Sequence, residues 1–239
     1  MPVDIPDYEP LMREAVAAFW GIRDRQATEQ ALRGVEDAGT RGTVTGGQHL
    51  GPIEALIWRV LTDAGVNESD IHNGRSAKLP GWFREFKNWD VVVLEGDTLV
   101  AVIELKSQVG SFGNNLNNRI EEAIGQSVDF WQAVDNGLLP GLRPWFGYLM
   151  IIEESMKSTS LVRTRRGLLP PDPVFENASY MDRYATAFAR LHHERMLDAV
   201  AFAMSPRDTN QVTYPTPALS FQHFATTLHN RAREIRSLQ

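Results

Sequence analysis

Asp90, Glu104 and Lys106 draw attention first, because anions within otherwise apolar, β-rich runs need an explanation. Asp90 enters the run Trp89-Asp90-Val91-Val92-Val93-Leu94, and Glu104 and Lys106 close the run from Leu99 to Lys106. A buried carboxylate costs several kcal/mol unless a cation or a proton compensates it. Strand alternation puts Glu104 and Lys106 on one face and sends Ile103 and Leu105 to the other, so a carboxylate and an ammonium lie side by side at a strand end. Glu95-Gly96-Asp97-Thr98 lies between the runs and predicts a hairpin. Opposed residues of an antiparallel pair share a face, so a two-residue turn at Gly96-Asp97 would pair Asp90 with Ile103, on the wrong side. An odd-length loop or a bulge sets Asp90 opposite Glu104 or Val102 instead, and the expectation is one of these.

Asp90, followed fourteen residues later by Glu104-x-Lys106 at the end of an apolar strand, resembles the PD-(D/E)xK nuclease core. Asn88-Trp89 stands where the pattern's name has proline. The resemblance implies that Asp90 and Glu104 hold Mg²⁺ and that Lys106 positions the attacking water. Oxygen donors suit that ion, which lowers the pKa of its water and offsets charge on the phosphate. Asp70 with Glu85-x-Lys87 mimics the spacing, but no apolar strand leads into it. The longer stretches Lys78–Arg84, Lys87–Val93 and Ile103–Ala123 are similar to the XhoI family of type II restriction endonucleases, densest from residue 78 to about 131. That resemblance implies a homodimer acting on double-stranded DNA. It would cut the palindrome CTCGAG with Mg²⁺ to leave 5′-phosphate ends, beside a methyltransferase that protects the same site.

The elements that must position these groups follow from periodicity. A first helix is expected from about Glu9 to Arg33, then a glycine- and threonine-rich loop over 38–51. Pro52 starts a second helix, with Ile53, Leu56, Ile57, Val60 and Leu61 as its apolar stripe, ending near Gly65. Beyond the hairpin, Ile120, Ala123, Ile124, Val128, Trp131 and Val134 mark a helix. The almost wholly apolar Trp145–Ile152 predicts a strand in mid-sheet. Ser158–Pro173 reads as an exposed loop. Two closing helices are expected, one carrying Tyr180, Tyr184, Phe188, Leu191 and Met196 to Val200, the other following Pro217. The expected class is α/β: a small mixed β-sheet flanked by helices, a restriction-endonuclease-like core, with additional C-terminal helices. With no internal repeat, one domain over 1–239 is expected, its core at about 50–155 and its C-terminal helical part at about 176–239.

A net charge of −6 argues against nucleic-acid binding on bulk electrostatics, yet the positive charge is clustered. Lys157, Arg163, Arg165 and Arg166 occur with no acid among them, and Lys78, Arg84 and Lys87 lie just ahead of Asp90. Twenty of the 24 basic residues are arginine, which suits planar contacts to phosphate or guanine and equally reflects a GC-rich genome. Arg163, Arg165 and Arg166 are expected at DNA, and phosphate contact fits Lys78, Arg84 and Lys87. Asn114, Asn117 and Arg119 could read bases, although a turn and helix cap also explain asparagines there. Glu54 either favours its helix dipole or supplies a further acid to the site, as related nucleases do. Gln126 reads as solvated surface. The histidines have no zinc spacing, and no cysteine is present to form a disulfide or a thiolate site. No run approaches the roughly 20 apolar residues of a membrane span, and the expected compartment is the cytoplasm. A repair or junction nuclease on the same core, or a non-catalytic DNA-binding domain, are the competing readings.

Overall fold

The computed structural model describes residues 5–32, 48–165, 167–207 and 209–237, and its helices and strands largely follow the apolar periodicities. In chain order these are α1 (Glu9–Leu32), α2 (Gly51–Asp63), β1 (Ile71–Asn73), β2 (Lys78–Pro80), β3 (Phe86–Asn88), β4 (Val91–Glu95) and β5 (Thr98–Gln108). After them come α3 (Phe112–Asp135), β6 (Trp145–Glu154), α4 (Met156–Thr159), α5 (Tyr180–His193), β7 (Ala199–Pro206) and α6 (Phe221–Ser237). The expected glycine-rich loop lies, up to residue 47, outside the described residues. Pro52 sits in the first turn of α2, where its missing N–H costs nothing, and Ile53, Leu56, Ile57, Val60 and Leu61 are buried as the stripe predicts.

Five strands form one mixed sheet in the order β1-β4-β5-β6-β7, with β2 and β3 paired as a separate ribbon. The pairs β1–β4 and β4–β5 are antiparallel, and β5–β6 and β6–β7 are parallel, each parallel step crossing over through helices. One sheet face, carrying Val91, Val93, Ile103, Leu149 and Ala201, packs on α1, α2 and α6. The other, carrying Val92, Val102, Phe146, Tyr148 and Phe202, packs on α3 and α5. The class is therefore α/β, as expected. β6 lies between two parallel strands with its apolar run buried on both faces.

Two readings need correction. Met196–Val200 does not continue a helix: α5 ends at His193, Arg195 adopts a positive φ of 57°, and Ala199–Pro206 becomes the strand β7. Alanine-rich apolar residues fit either state by pattern. Here the edge of β6 supplies backbone partners, and Asp198 accepts the Phe146 N–H at 2.8 Å to begin the pairing. The short strands β1, β2 and β3 were not expected either, because three residues carry too little periodicity to be read. Among the described residues no helix is long and apolar enough to cross a membrane.

Gly147 shows how tightly the sheet meets its helices. A Cβ there would meet the Trp145 ring and come within 2.7 Å of Phe224 on α6. Gly147→Ala is expected to cost about 1–3 kcal/mol of stability. An unchanged urea midpoint would refute this packing.

Candidate active site

The site is built on the β4–β5 hairpin. Its turn is the two-residue Gly96-Asp97, yet the register shifts along the strands: Glu95 pairs with Thr98 and Leu94 with Leu99, whereas Val93 pairs with Ala101 and Val91 with Ile103. Val100 is the extra residue of a β-bulge. The odd step required by the alternation argument is thus taken by the bulge and not by the loop. Continuing the register sets Asp90 opposite Glu104. Val92 and Val102 belong to the α3-facing core, so Asp90, Glu104 and Lys106 all face that layer, at one end of the sheet.

Glu104 is only 3 % exposed. Its Oε2 accepts from Lys87 Nζ at 2.8 Å, and its Oε1 accepts from Lys106 Nζ and, at 3.1 Å, from Gln126 Nε2 on α3. Burial opposes its ionisation, but Lys106 and Lys87 outweigh that and hold its pKa below the ordinary glutamate value. Asp90 Oδ2 accepts the Leu105 N–H at 2.6 Å. Burial, and then the Glu104 charge, push its carboxyl up to about 6 in the absence of a further cation. Lys87 lies over the Trp89 ring, 3.7 Å from its centroid, and burial lowers its pKa against the pull of Glu104.

These donors fit a hard divalent cation. Asp90 and Glu104 would offer carboxylate oxygens, the burial of Asp90 is only partly offset by the Leu105 N–H and the two lysines, and Gln126 Oε1 is buried with no partner. No group of three or more acids or histidines able to enclose an ion occurs among the described residues. Mg²⁺ asks for less, because it keeps several waters and commonly takes one or two carboxylates plus substrate phosphate.

The other predicted site residues are spread more widely. Lys87, expected at DNA phosphate, has a side chain only 9 % exposed and is held by Glu104. Gln126 is not the solvated surface residue expected, since its amide donates to Glu104; it sits at the edge of the α3 stripe, where a long side chain reaches inward. Glu54 belongs to α2, in the opposite layer, where Asn73 donates to it. Asn73 pairs with Val91, next to Asp90, so Glu54 stands beside the cluster but is not hydrogen-bonded to it. Lys78 is exposed, 4.4 Å from the Phe86 ring centroid. Asn114 and Asn117 are exposed on the first turns of α3, Arg119 pairs with Glu122 at 2.6 Å, and Arg163 and Arg165 are exposed. Arg166 lies outside the described residues.

Arg84 is tied to Asp129, a buried carboxylate that takes its Nε at 2.8 Å and the backbone N–H groups of Trp82 and Phe83 at 2.9 and 2.8 Å. Asp129 therefore clamps the β2–β3 turn, which leads into Lys87 and Asp90. Asp129→Ala would leave two N–H groups unsatisfied, and it is expected to destabilise the fold by about 2–3 kcal/mol. A loss below 0.5 kcal/mol on chemical denaturation would contradict the clamp.

Comparison with known proteins adds an independent line. The family model described as restriction endonuclease XhoI matches residues 29–216. The chain is 38% identical over 195 residues to the type II restriction enzyme XhoI of Xanthomonas vasicola, covering 80% of this chain and 78% of that protein. It is 36% identical over 191 residues to the type II restriction enzyme BstVI of Geobacillus stearothermophilus, covering 77% and 85%. It is also 40% identical over 161 residues to the type II restriction enzyme AbrI of Azospirillum brasilense, covering 66% and 72%. No solved structure matches the chain significantly.

Proposed function

Because the chain belongs to the XhoI restriction endonuclease family, we propose that it is a type II restriction endonuclease. It hydrolyses double-stranded DNA at the palindrome CTCGAG with Mg²⁺, acting as a single-domain homodimer in the cytoplasm beside a methyltransferase of the same specificity. The observation that carries this reading is the convergence of Asp90, Glu104 and Lys106 on one face of one hairpin, with Lys87 and Gln126 closing around Glu104.

In this reading Asp90 and Glu104 hold the ion. Bound there, Mg²⁺ supplies Lewis acidity and offsets the charge that builds on the phosphate. Lys106, an ammonium with three donors and no lone pair, orients the attacking water and offsets part of the same charge. The water oxygen forms its bond to phosphorus as the bond from phosphorus to the 3′-oxygen breaks. The water gives up a proton and the leaving oxygen gains one, so the products are a 5′-phosphate and a 3′-hydroxyl. Lys87 neutralises the second oxygen of Glu104 and keeps it oriented, and Gln126 fixes the first. Two-fold symmetry of a homodimer would match two-fold symmetry of the site.

A plasmid bearing one CTCGAG tests this. In Mg²⁺ the protein is expected to give one linear product with 5′-phosphate ends, and chelation by EDTA is expected to lower the rate by at least 10³-fold. Nicking that follows DNA shape would place the chain among repair or junction nucleases. Binding without any cleavage would make it a DNA-binding domain.

A further inference from the structure

A cavity of about 210 Å³ opens beside the cluster, where β5 ends. Lys106, Ser107 and Gln108 form one wall, α1 contributes Arg23, the turn before α2 contributes His49, and the start of α3 contributes Asn115 and Arg119. Its lining holds three cationic side chains and no carboxylate; Lys106 and Arg119 pair with Glu104 and Glu122 outside it, and Arg23 has no such ion pair among the described residues. Arg23 and His49 are 8 % and 3 % exposed, and Arg23 Nε, Arg119 Nε and His49 Nδ1 are all buried without partners. The two arginine nitrogens are donors, and buried donors normally find an acceptor, so two in one cavity mark the place of an absent one. Glu153, the acid that Arg23 feels most, accepts the Gly110 N–H and does not line the cavity. His49 is neutral, because burial and Arg23 depress its pKa to about 4, and its Nε2 meets Ser107 Oγ at 3.1 Å. The positive charge therefore comes from Arg23, Arg119 and Lys106.

Lys106 joins the two sites, since its ammonium binds Glu104 while its side chain lines the cavity. Arg119 precedes Gln126 by seven residues, two helical turns along the same face of α3, or about 10 Å. A backbone held at Asp90 and Glu104 would thus pass its neighbouring phosphate into an arginine-lined recess.

We propose that this cavity is a phosphodiester subsite, in which Arg23 and Arg119 grip a DNA phosphate adjoining the scissile one and His49 orders the recess through Ser107. The subsite rests on the nuclease reading above and assigns Arg23 and His49 a positioning role that the PD-(D/E)xK pattern does not include. The shape of arginine, planar with several donors, suits a phosphate in a recess better than lysine would.

The test is a binding cycle on a CTCGAG duplex in which each phosphate flanking the cut is replaced, one at a time, by a neutral methylphosphonate. Binding is read by anisotropy in Ca²⁺, and cleavage of the natural duplex is read separately in Mg²⁺. For the wild-type protein one flanking position is expected to weaken binding about tenfold. Arg23→Met is expected to lose about as much on the natural duplex, to be insensitive to that one substitution, and to lower the slope of log K against log salt by about 1. Arg119→Gln, at a partly exposed position of α3, repeats the cycle if Arg23→Met melts early. Methylphosphonate penalties that simply add to both variants at every position would overturn the subsite while wild-type cleavage left the nuclease reading standing. Non-additivity at one position in a protein that never cleaves would keep the subsite and sink the nuclease. A wild-type protein that binds no duplex would end both.

Discussion

Lys106→Ala is expected to bind a CTCGAG duplex within about threefold of the wild-type affinity and to cleave it about 10³-fold more slowly. The size follows from removing one fixed positive group from the place where phosphate charge develops, an effect of order 10²–10³ for a single donor and larger for a full ammonium. Binding survives because affinity for DNA sums many phosphate contacts, and Lys106 is already committed to Glu104 in the protein alone. The fold survives because Glu104 keeps Lys87 and Gln126 after the substitution. Single-turnover cleavage with saturating protein separates the chemical step from binding. A variant that cleaves within tenfold of wild type would remove Lys106 from the reaction and leave it a strand-end ion pair.

The core of this site was legible because strand alternation is a two-state code. The spacing from Asp90 to Glu104 and Lys106 allows a shared face only through an odd step in the hairpin, and the bulge at Val100 is that step. What could not be read was how distant segments turn their side chains. Lys87 belongs to a three-residue strand outside the main sheet, and only the bend between β3 and β4 aims its ammonium at Glu104. Gln126 sits at the margin of an apolar stripe, where helical periodicity cannot distinguish a side chain reaching inward from one in water. The extra strand β7 failed for a related reason: Ala199–Ala203 has no polar residue to set a period, so its state was decided by the free edge of β6. Arg23 and His49 carried no motif at all. Their significance lies in unmet hydrogen bonds, which exist only once α1 and the turn before α2 close over the end of β5.

Glu104→Ala is expected to abolish cleavage and also to destabilise the fold by about 3 kcal/mol, and a second substitution separates these losses. Without Glu104, the Lys87 ammonium stays 9 % exposed with no carboxylate in contact, the situation in which breaking a buried pair costs about 3–5 kcal/mol. The lower end applies, because Lys106 is more exposed and can move into water, and Asp90 still attracts Lys87. Lys87→Met removes the stranded charge while keeping much of the side-chain volume over the Trp89 ring. The double variant Glu104→Ala/Lys87→Met should therefore recover at least half of the lost stability and none of the cleavage. Urea unfolding of the four proteins, compared at equal m-values, gives the coupling between the two residues directly. Stability of the double variant no better than that of Glu104→Ala would mean that Lys87 escapes to solvent when its partner is lost. Recovery without cleavage would show instead that one carboxylate serves two purposes: it neutralises a buried ammonium and, with Asp90, provides the anionic oxygens of the site.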